Sequence, residues 1–359
     1  MMRKGMIRKS ISMLLFSGLL VMCTGCCIHL WPEEDDINKP DELRKVTIRL
    51  EYAPDLYIWD HTYDPISGAI RQNYPDADIF EGYPGTTSTY SPVPDKGKME
   101  ILLMAIPQIS DTKGGAEFTF IKEIDGNYDT DLDIELPLGV SYTIVVWSHL
   151  IENEKDGAYY DASDFNSIKL VREKYTGNTD FRDGYRGIID IGSAENRSES
   201  YTLKMRRPMG KFELVTTDLS EFLERETVRR NLPRRAESSE YMVVFSFPMY
   251  YPCSYSAPDD RLENADGGFH FTTRMTVTGE SEASLGFEYV FINDIRDAGV
   301  QMRVDIYDPE GVHVAGSSTL TVPLRRDVHT LLHGTFLSLE GEGGVGLDPS
   351  YDGNHNVIW

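Results

Sequence analysis

Cysteine is the first scarcity. The 359-residue chain holds four, and Cys23, Cys26 and Cys27 crowd together at the end of one N-terminal segment, leaving Cys253 alone in the remainder. A disulfide framework is excluded, so the chain must hold together by burying apolar surface. Its length is enough for two cores of ordinary size. Histidine is sparse too, at eight, and scattered. His329 and His333 are four apart, but no Glu follows His329, and Val328, Thr330, Leu331 and Leu332 read as strand rather than the helix a zinc motif needs. Gly-rich phosphate loops and Ser or Cys nucleophile signatures are missing. The run Asp125-Gly126-Asn127-Tyr128-Asp129-Thr130-Asp131 begins like a calcium loop. However, Thr130 stands where the sharp turn needs Gly, and Leu136 where the bidentate Glu belongs. Asp and Glu are too abundant to single out a glycosidase pair. No catalytic residue, metal ligand or cofactor is therefore assigned, and the chain reads as a non-enzyme.

Positive charge is also short. Lys and Arg total 35 against 58 Asp and Glu, for a formal net charge of −23. That excludes nucleic acid as a partner and argues against polybasic attachment to anionic lipid. The one basic concentration, Arg225, Arg229, Arg230, Arg234 and Arg235, reads as a solvated helix end and loop, where cations are favourable. Long apolar runs are confined to residues 11–22, too short with its flanks to span a bilayer.

That run follows Arg3, Lys4, Arg8 and Lys9, the layout of a signal peptide. It ends in Cys23-Thr24-Gly25-Cys26, which resembles the bacterial lipoprotein box, with Cys26 as the residue to be lipidated. Cys23 departs from the Leu usual there. Acylation of Cys26 would supply several buried chains, enough for stable anchoring in the outer membrane. The segment 26–44 is acidic and Pro-broken, a tether. Its Glu33-Glu34-Asp35-Asp36 cluster resembles the surface-export signal of Bacteroidetes lipoproteins, displaced a few residues.

Beyond the tether the period is two. Val46, Ile48, Leu50 and Tyr52 alternate with polar residues as a half-buried strand. Strands are expected near 56–59, 69–72, 99–106, 118–122, 131–136, 188–191 and 201–205, with a fully apolar one at 142–147. The passage 152–186 reads as polar and irregular. At 206–219, Pro208 and Gly210 punctuate, and Phe212, Leu214 and Thr216 then alternate as a fresh half-buried strand. Asp218 with Glu221 reads as a capping box for a short helix over 218–225. Strands follow at 241–247, 268–277, 287–292, 301–307, 312–314, 319–324, 330–339 and 356–359, with a long loop over 249–268 carrying Cys253. The fold class is all-β, two sandwiches in tandem with one or two short helices. The domains expected are 1–25 signal peptide, 26–44 tether, 45–205 first sandwich and 206–359 second sandwich. Trp59, Tyr63, Tyr74, Tyr83 and Tyr90 fall in loop-rich stretches, where exposed rings would stack on sugars. That pattern keeps a surface glycan-binding lipoprotein as the alternative function.

The stretches 206–219 (RRPMGKFELVTTDL) and 322–353 (VPLRRDVHTLLHGTFLS…GVGLDPSYDG), together with the lipoprotein signal, resemble fimbrillin-like proteins of the Bacteroidetes type V pilus system. The resemblance does not separate shaft pilin from tip or anchor subunit. It implies two transthyretin-like β-sandwich domains, a structural and adhesive role in a cell-surface fimbria, and other fimbrial subunits and a host protein or glycan as partners. It also implies assembly by strand exchange after cleavage at an Arg, which makes Arg44 and Arg49 the candidate processing sites, Arg44 preferred. Cleavage at Arg44 would leave the Val46–Tyr52 strand in place, whereas cleavage at Arg49 would cut through it; Val46, Ile48 and Leu50 are candidates for strand exchange, and Asn356, Val357, Ile358 and Trp359 for a donor or closing strand.

Overall fold

A computed structural model describes residues 43–65, 67–73, 89–90, 97–108, 116–124, 127–151, 159–193, 198–293 and 298–338. The lipidation candidate Cys26, tether residues 26–42 and the C-terminal residues Asn356–Trp359 lie outside them, while Leu43 and Arg44, expected at the end of the tether, already belong to the first strand. The described residues form strands throughout, with one α-helix and three 3₁₀ turns. The first strands are β1 Leu43–Tyr52, β2 Leu56–Tyr63, β3 Ile70–Gln72, β4 Thr89–Tyr90, β5 Gly97–Pro107, β6 Ala116–Ile124, β7 Thr130–Pro137 and β8 Tyr142–Ile151. They are followed by β9 Tyr160–Asp161, β10 Ile168–Leu170, β11 Gly184–Ile191, β12 Ser198–Met205 and β13 Met209–Thr216. The helix α1 covers Leu219–Arg229. After it come β14 Met242–Ser246, β15 Tyr251–Ser256, β16 Arg261–Asp266, β17 His270–Arg274, β18 Thr276–Val277 and β19 Ala283–Phe291. The last are β20 Gly299–Tyr307, β21 His313–Gly316, β22 Leu320–Pro323 and β23 Val328–Gly334. The chain is all-β, as its period-two patterning requires.

Two cores organise these strands. In the first, the sheet β12-β1-β7 faces the antiparallel sheet β11-β8-β5-β6. Val46, Ile48, Leu50, Leu132 and Ile134 meet Met99, Ile101, Leu103, Ile144 and Val146 between them. In the second, a seven-stranded sheet β18-β19-β13-β23-β2-β3, with β4 also on β2, packs with the sheet β17-β14-β20-β21, which carries β22 on β20. A third sheet, β16-β15-β10-β9, adds to this core. Between residues 205 and 209, β12 gives way to β13, and segments from before that point cross over. β2 pairs in parallel with β23, and β10 pairs with β15. The apolar run of β8 has its reason here. Ile144, Val146 and Leu150 face the first core, while Val145 and Trp147 face the second, so both sides of the strand are dry.

Several local expectations are corrected. Gly210 lies inside β13 rather than in a turn: a Cβ there would meet the Arg325 carbonyl oxygen at 2.5 Å, so glycine serves a close backbone approach. β13 is buried on both faces, not one. Asp218 precedes α1, but its carboxylate does not cap the helix. It accepts from Thr216 Oγ1 and Ser338 Oγ, each at 2.5 Å, and from the Leu337 amide at 3.3 Å, tying the helix start to the chain after β23. The stretch read as the loop 249–268 contains the hairpin β15–β16, whose register shifts at Pro252–Ser254 and Ser254–Tyr255. The passage 152–186 contains β9, β10 and the 3₁₀ turns Arg172–Lys174 and Asp180–Arg182. The Asp308-Pro309-Glu310-Gly311 turn joins β20 to β21, with Gly311 at φ 78°.

Candidate functional site

Most side chains with chemical potential turn out to be structural. His329 and His333 lie on a strand, beside Glu213 at 3.2 Å and Asp60 at 3.4 Å respectively. Among the described residues no group of three or more His, Cys, Asp or Glu could hold a metal ion. At the former calcium-loop candidate, Lys122 Nζ donates to the carbonyls of Asn127 and Asp129 at 2.9 and 2.5 Å, so a cation already occupies that turn. The arginines around α1 are internally matched. Arg229 pairs with Glu226 and Asp308, Arg230 with Glu240 and Glu310, and Arg234 with Glu237. Trp59 and Tyr63 are packed rather than displayed, Tyr63 stacking on Phe336 at 5.3 Å. Tyr74 and Tyr83 are outside the described residues.

What remains is β1. It is the middle strand of its sheet, antiparallel to β7 and parallel to β12 along most of its length. Alternation sends Val46, Ile48 and Leu50, each fully buried, into the first core, with Tyr52 behind them. Tyr52 meets Tyr128 and Tyr185 edge-on at 5.9 and 5.1 Å, and its hydroxyl reaches Ser148 Oγ at 3.1 Å. Burial pushes the Tyr52 phenol far above its ordinary range. The outer face is charged: Lys45 pairs with Asp133 at 2.8 Å, and Arg49 lies 3.6 Å from Asp131. Thr47 Oγ1 donates to Asp133 at 2.7 Å. Lys45 and Thr47 hold the Asp133 carboxyl below its usual value.

The two candidate processing arginines occupy opposite environments. Arg44 is enclosed, ion-paired to Glu199 at 2.8 Å and donating to the Val140 carbonyl at 2.9 Å. Arg49 keeps half its side chain in solvent. Arg49 is paired to both neighbouring strands and Arg44 to β7 alone, with Lys45 after it paired on both sides, so both peptide bonds are held in the sheet while β1 is docked. Buried Arg44 gave no sign of itself in the sequence, since its alternation places it with Val46 and Ile48 in a row read as apolar.

The end of β1 is clamped. Buried Arg207 donates from Nε and Nη2 to Asp183 at 2.7 and 2.8 Å, from Nη1 to the Ala53 carbonyl at 3.1 Å, and from Nη2 to the Pro54 carbonyl. Tyr185 OH donates to the same Asp183 at 2.8 Å. Residues 53–55 are the link between β1 in the first core and β2 in the second. The link is thus pinned by a residue that lies between β12 and β13. Next to it, Arg182 faces Glu288 at 3.3 Å, both buried, and Lys211 Nζ meets Asp180 at 2.8 Å. Sequence reading missed this polar junction: Arg207 and Lys211 lie in the stretch 206–219, but their partners Asp183 and Asp180 are more than 20 residues away and carry no motif.

A family model described as "Family of unknown function (DUF6562)" matches residues 109–358. The chain belongs to that family. No curated protein matches it in sequence. Among solved structures it is similar to a candidate polysaccharide-binding protein from Bacteroides thetaiotaomicron, at 11% identity and TM-score 0.38, over 76% of this chain and 80% of the other. It is similar to the fimbrial anchor protein Mfa2 from Porphyromonas gingivalis, at 10% identity and TM-score 0.34, over 76% and 82%. A candidate adhesin from Bacteroides ovatus is similar at 9% identity and TM-score 0.39, over 82% and 88%. The low TM-scores transfer no residue roles to this chain.

Proposed function

We propose that this protein is a lipid-anchored, surface-exposed structural and adhesive subunit of a fimbria on the outer membrane. Its N-terminal strand β1 occupies the position exchanged between subunits. The sequence supports the anchor, through the signal segment ending at Cys26, and the fimbrial setting, through the resemblance carried by residues 206–219 and 322–353. The observation that carries the reading is the way β1 is held. It is paired on both sides and fills the core with one alternating row, and Arg207 pins the chain immediately after it. Removing β1 leaves β7 and β12 as two facing edges one strand apart, with β2 still fastened to β23. A strand with apolar residues at every second position can fill that gap through main-chain hydrogen bonds.

Within this reading the tether 26–44 is followed by two units, about 45–205 and 206–359, with β2–β4 and β9–β10 crossing to the second. An anchored subunit keeps Arg44 uncleaved, because cleavage there would shed residues 26–44 with the lipid and leave Val46–Tyr52 in place; Asn356, Val357, Ile358 and Trp359 of a neighbouring copy supply the incoming strand. Host protein or glycan is the adhesive partner. Electron microscopy of cells with and without the gene tests the role: fewer or altered fibres are expected, and unchanged fibres would refute it. Deleting residues 356–359 should block incorporation while leaving the isolated chain folded. Replacing Cys26→Ala should release the protein from the membrane fraction.

A further inference from the structure

The polar junction pairs three buried cations with acidic side chains, and one pair differs chemically from the others. In Arg182–Glu288 and Arg207–Asp183 a guanidinium faces a carboxyl group. Lys211 and Asp180 instead bring a primary amine to a carboxyl, two groups that can condense. Lys211 is 1% exposed, and its Nζ lies 2.8 Å from Asp180 Oδ1. The amine sits over the Phe287 ring, 3.7 Å from its centroid, and 5.2 Å from that of Tyr289. Burial lowers the pKa of the Lys211 amine despite Asp180 beside it, which raises its neutral fraction above that of a surface lysine. The Tyr289 hydroxyl donates to the same Asp180 oxygen at 2.8 Å, placing a proton donor at the oxygen that would depart.

Both partners are fixed. Lys211 lies in mid-sheet on β13, opposite Tyr289 on one side and His329 on the other. Asp180 opens a 3₁₀ turn whose preceding residue, Thr179, accepts from the Phe181 amide through its side chain. Holding amine and carboxyl in contact removes much of the entropic barrier that opposes their reaction in water.

We propose that Lys211 and Asp180 form a self-made amide cross-link joining the 180–182 turn to β13. The ammonium of Lys211 gives one proton to the Asp180 carboxylate, leaving a neutral amine and a neutral acid. The Nζ lone pair adds to Cγ, a second Nζ proton passes to the departing oxygen, and the Cγ–O bond breaks. The products are a secondary amide and one water; no oxidant, reductant or co-reactant is consumed. The bond fastens the segment ahead of β11, in the first sandwich, to the central strand of the second core. This inference does not rest on fimbrial assembly.

Tryptic peptide mapping of the full chain by mass spectrometry tests it. Trypsin does not cut before Pro208 or at an acylated Lys211, so a branched peptide joining residues 175–182 to residues 207–225 is expected. Its mass should be one water below the sum of the two linear parts. Asp180→Ala and Lys211→Arg should each abolish it, whether or not those variants fold well. Recovery of only linear peptides from the wild-type chain, including one cut after Lys211, would overturn the proposal. So would a branched peptide that persists in Asp180→Ala.

Discussion

Strands β1 and β13 hold the same position in two different sheets. Each is internal, with one parallel and one antiparallel neighbour: β12 and β7 for the first, β23 and β19 for the second. Their surroundings differ. β1 buries one face and presents Lys45, Thr47, Arg49 and Glu51 outward, in a sheet of three strands. β13 is buried on both faces in a sheet of seven and carries Lys211 and Glu213 against internal partners. A strand that only supplies an alternating row can be replaced by another with the same row. A strand whose every residue has its own partner cannot. The topology is shared; under the proposed strand exchange, the second face is what makes β1, and not β13, the strand that can be given up.

The largest expected effect comes from cutting the coupling between these regions. Asp183→Ala leaves Arg207 buried without its carboxylate and loosens the clamp on residues 53–54, at a cost of about 3–5 kcal/mol. Urea unfolding should then show separate transitions for the two cores where the wild type shows one. Next, Leu214→Ala on β13 and Ile48→Ala on β1 remove equally buried side chains, each costing about 2–5 kcal/mol. The β13 change should raise opening throughout the chain, whereas the β1 change should raise it mainly in the first sheet, as read by amide exchange. Equal spread from both would erase the contrast.

Gly210→Ala is expected to cost about 1–3 kcal/mol by driving a methyl into the Arg325 carbonyl, measured as a fall in urea midpoint at constant slope. A smaller effect concerns pH. Burial pushes Glu288 on β19, beside β13, from 4.5 up to about 7. Between those values the folded chain keeps a proton that the unfolded chain releases, so this stabilising contribution is full below about 4.5 and lost as pH rises to about 7. Relative to Glu288→Gln, the wild type should lose on the order of 1–3 kcal/mol from pH 4.5 to 7.5 in paired urea titrations. A flat difference would mean that Glu288 stays ionised against Arg182. The smallest effect is Arg49→Ala, whose half-exposed ion pairs should contribute little to unfolding in the same titrations.

The parts of the fold most readily read in advance are the strands with one wet face and the wholly apolar β8, dry on both. β1 and β7 alternate cleanly, and β20 does so over its first six residues, because water imposes the period on their outer residues. β13 showed its presence but not its two-sided burial, since Lys211 and Glu213 look like solvent-facing residues until their buried partners are known. The β15–β16 hairpin was hidden because β16 is exposed along almost its whole length and β15 is bulged, so neither keeps a period. Val46, Ile48 and Leu50 were legible as a strand, whereas the Arg207 clamp that gives the strand its meaning joins residues more than 150 apart in sequence, and no local pattern encodes it.

Native-state hydrogen exchange of β1 against β13 tests the central claim most directly, because a strand that can be given up must open without the rest. The expected result is that β1 amides exchange through an opening of lower free energy than global unfolding, while β13 amides exchange only with the whole molecule. Exchange of β1 and β13 at one common free energy would contradict it, leaving β1 as fixed a part of the fold as the strand it resembles.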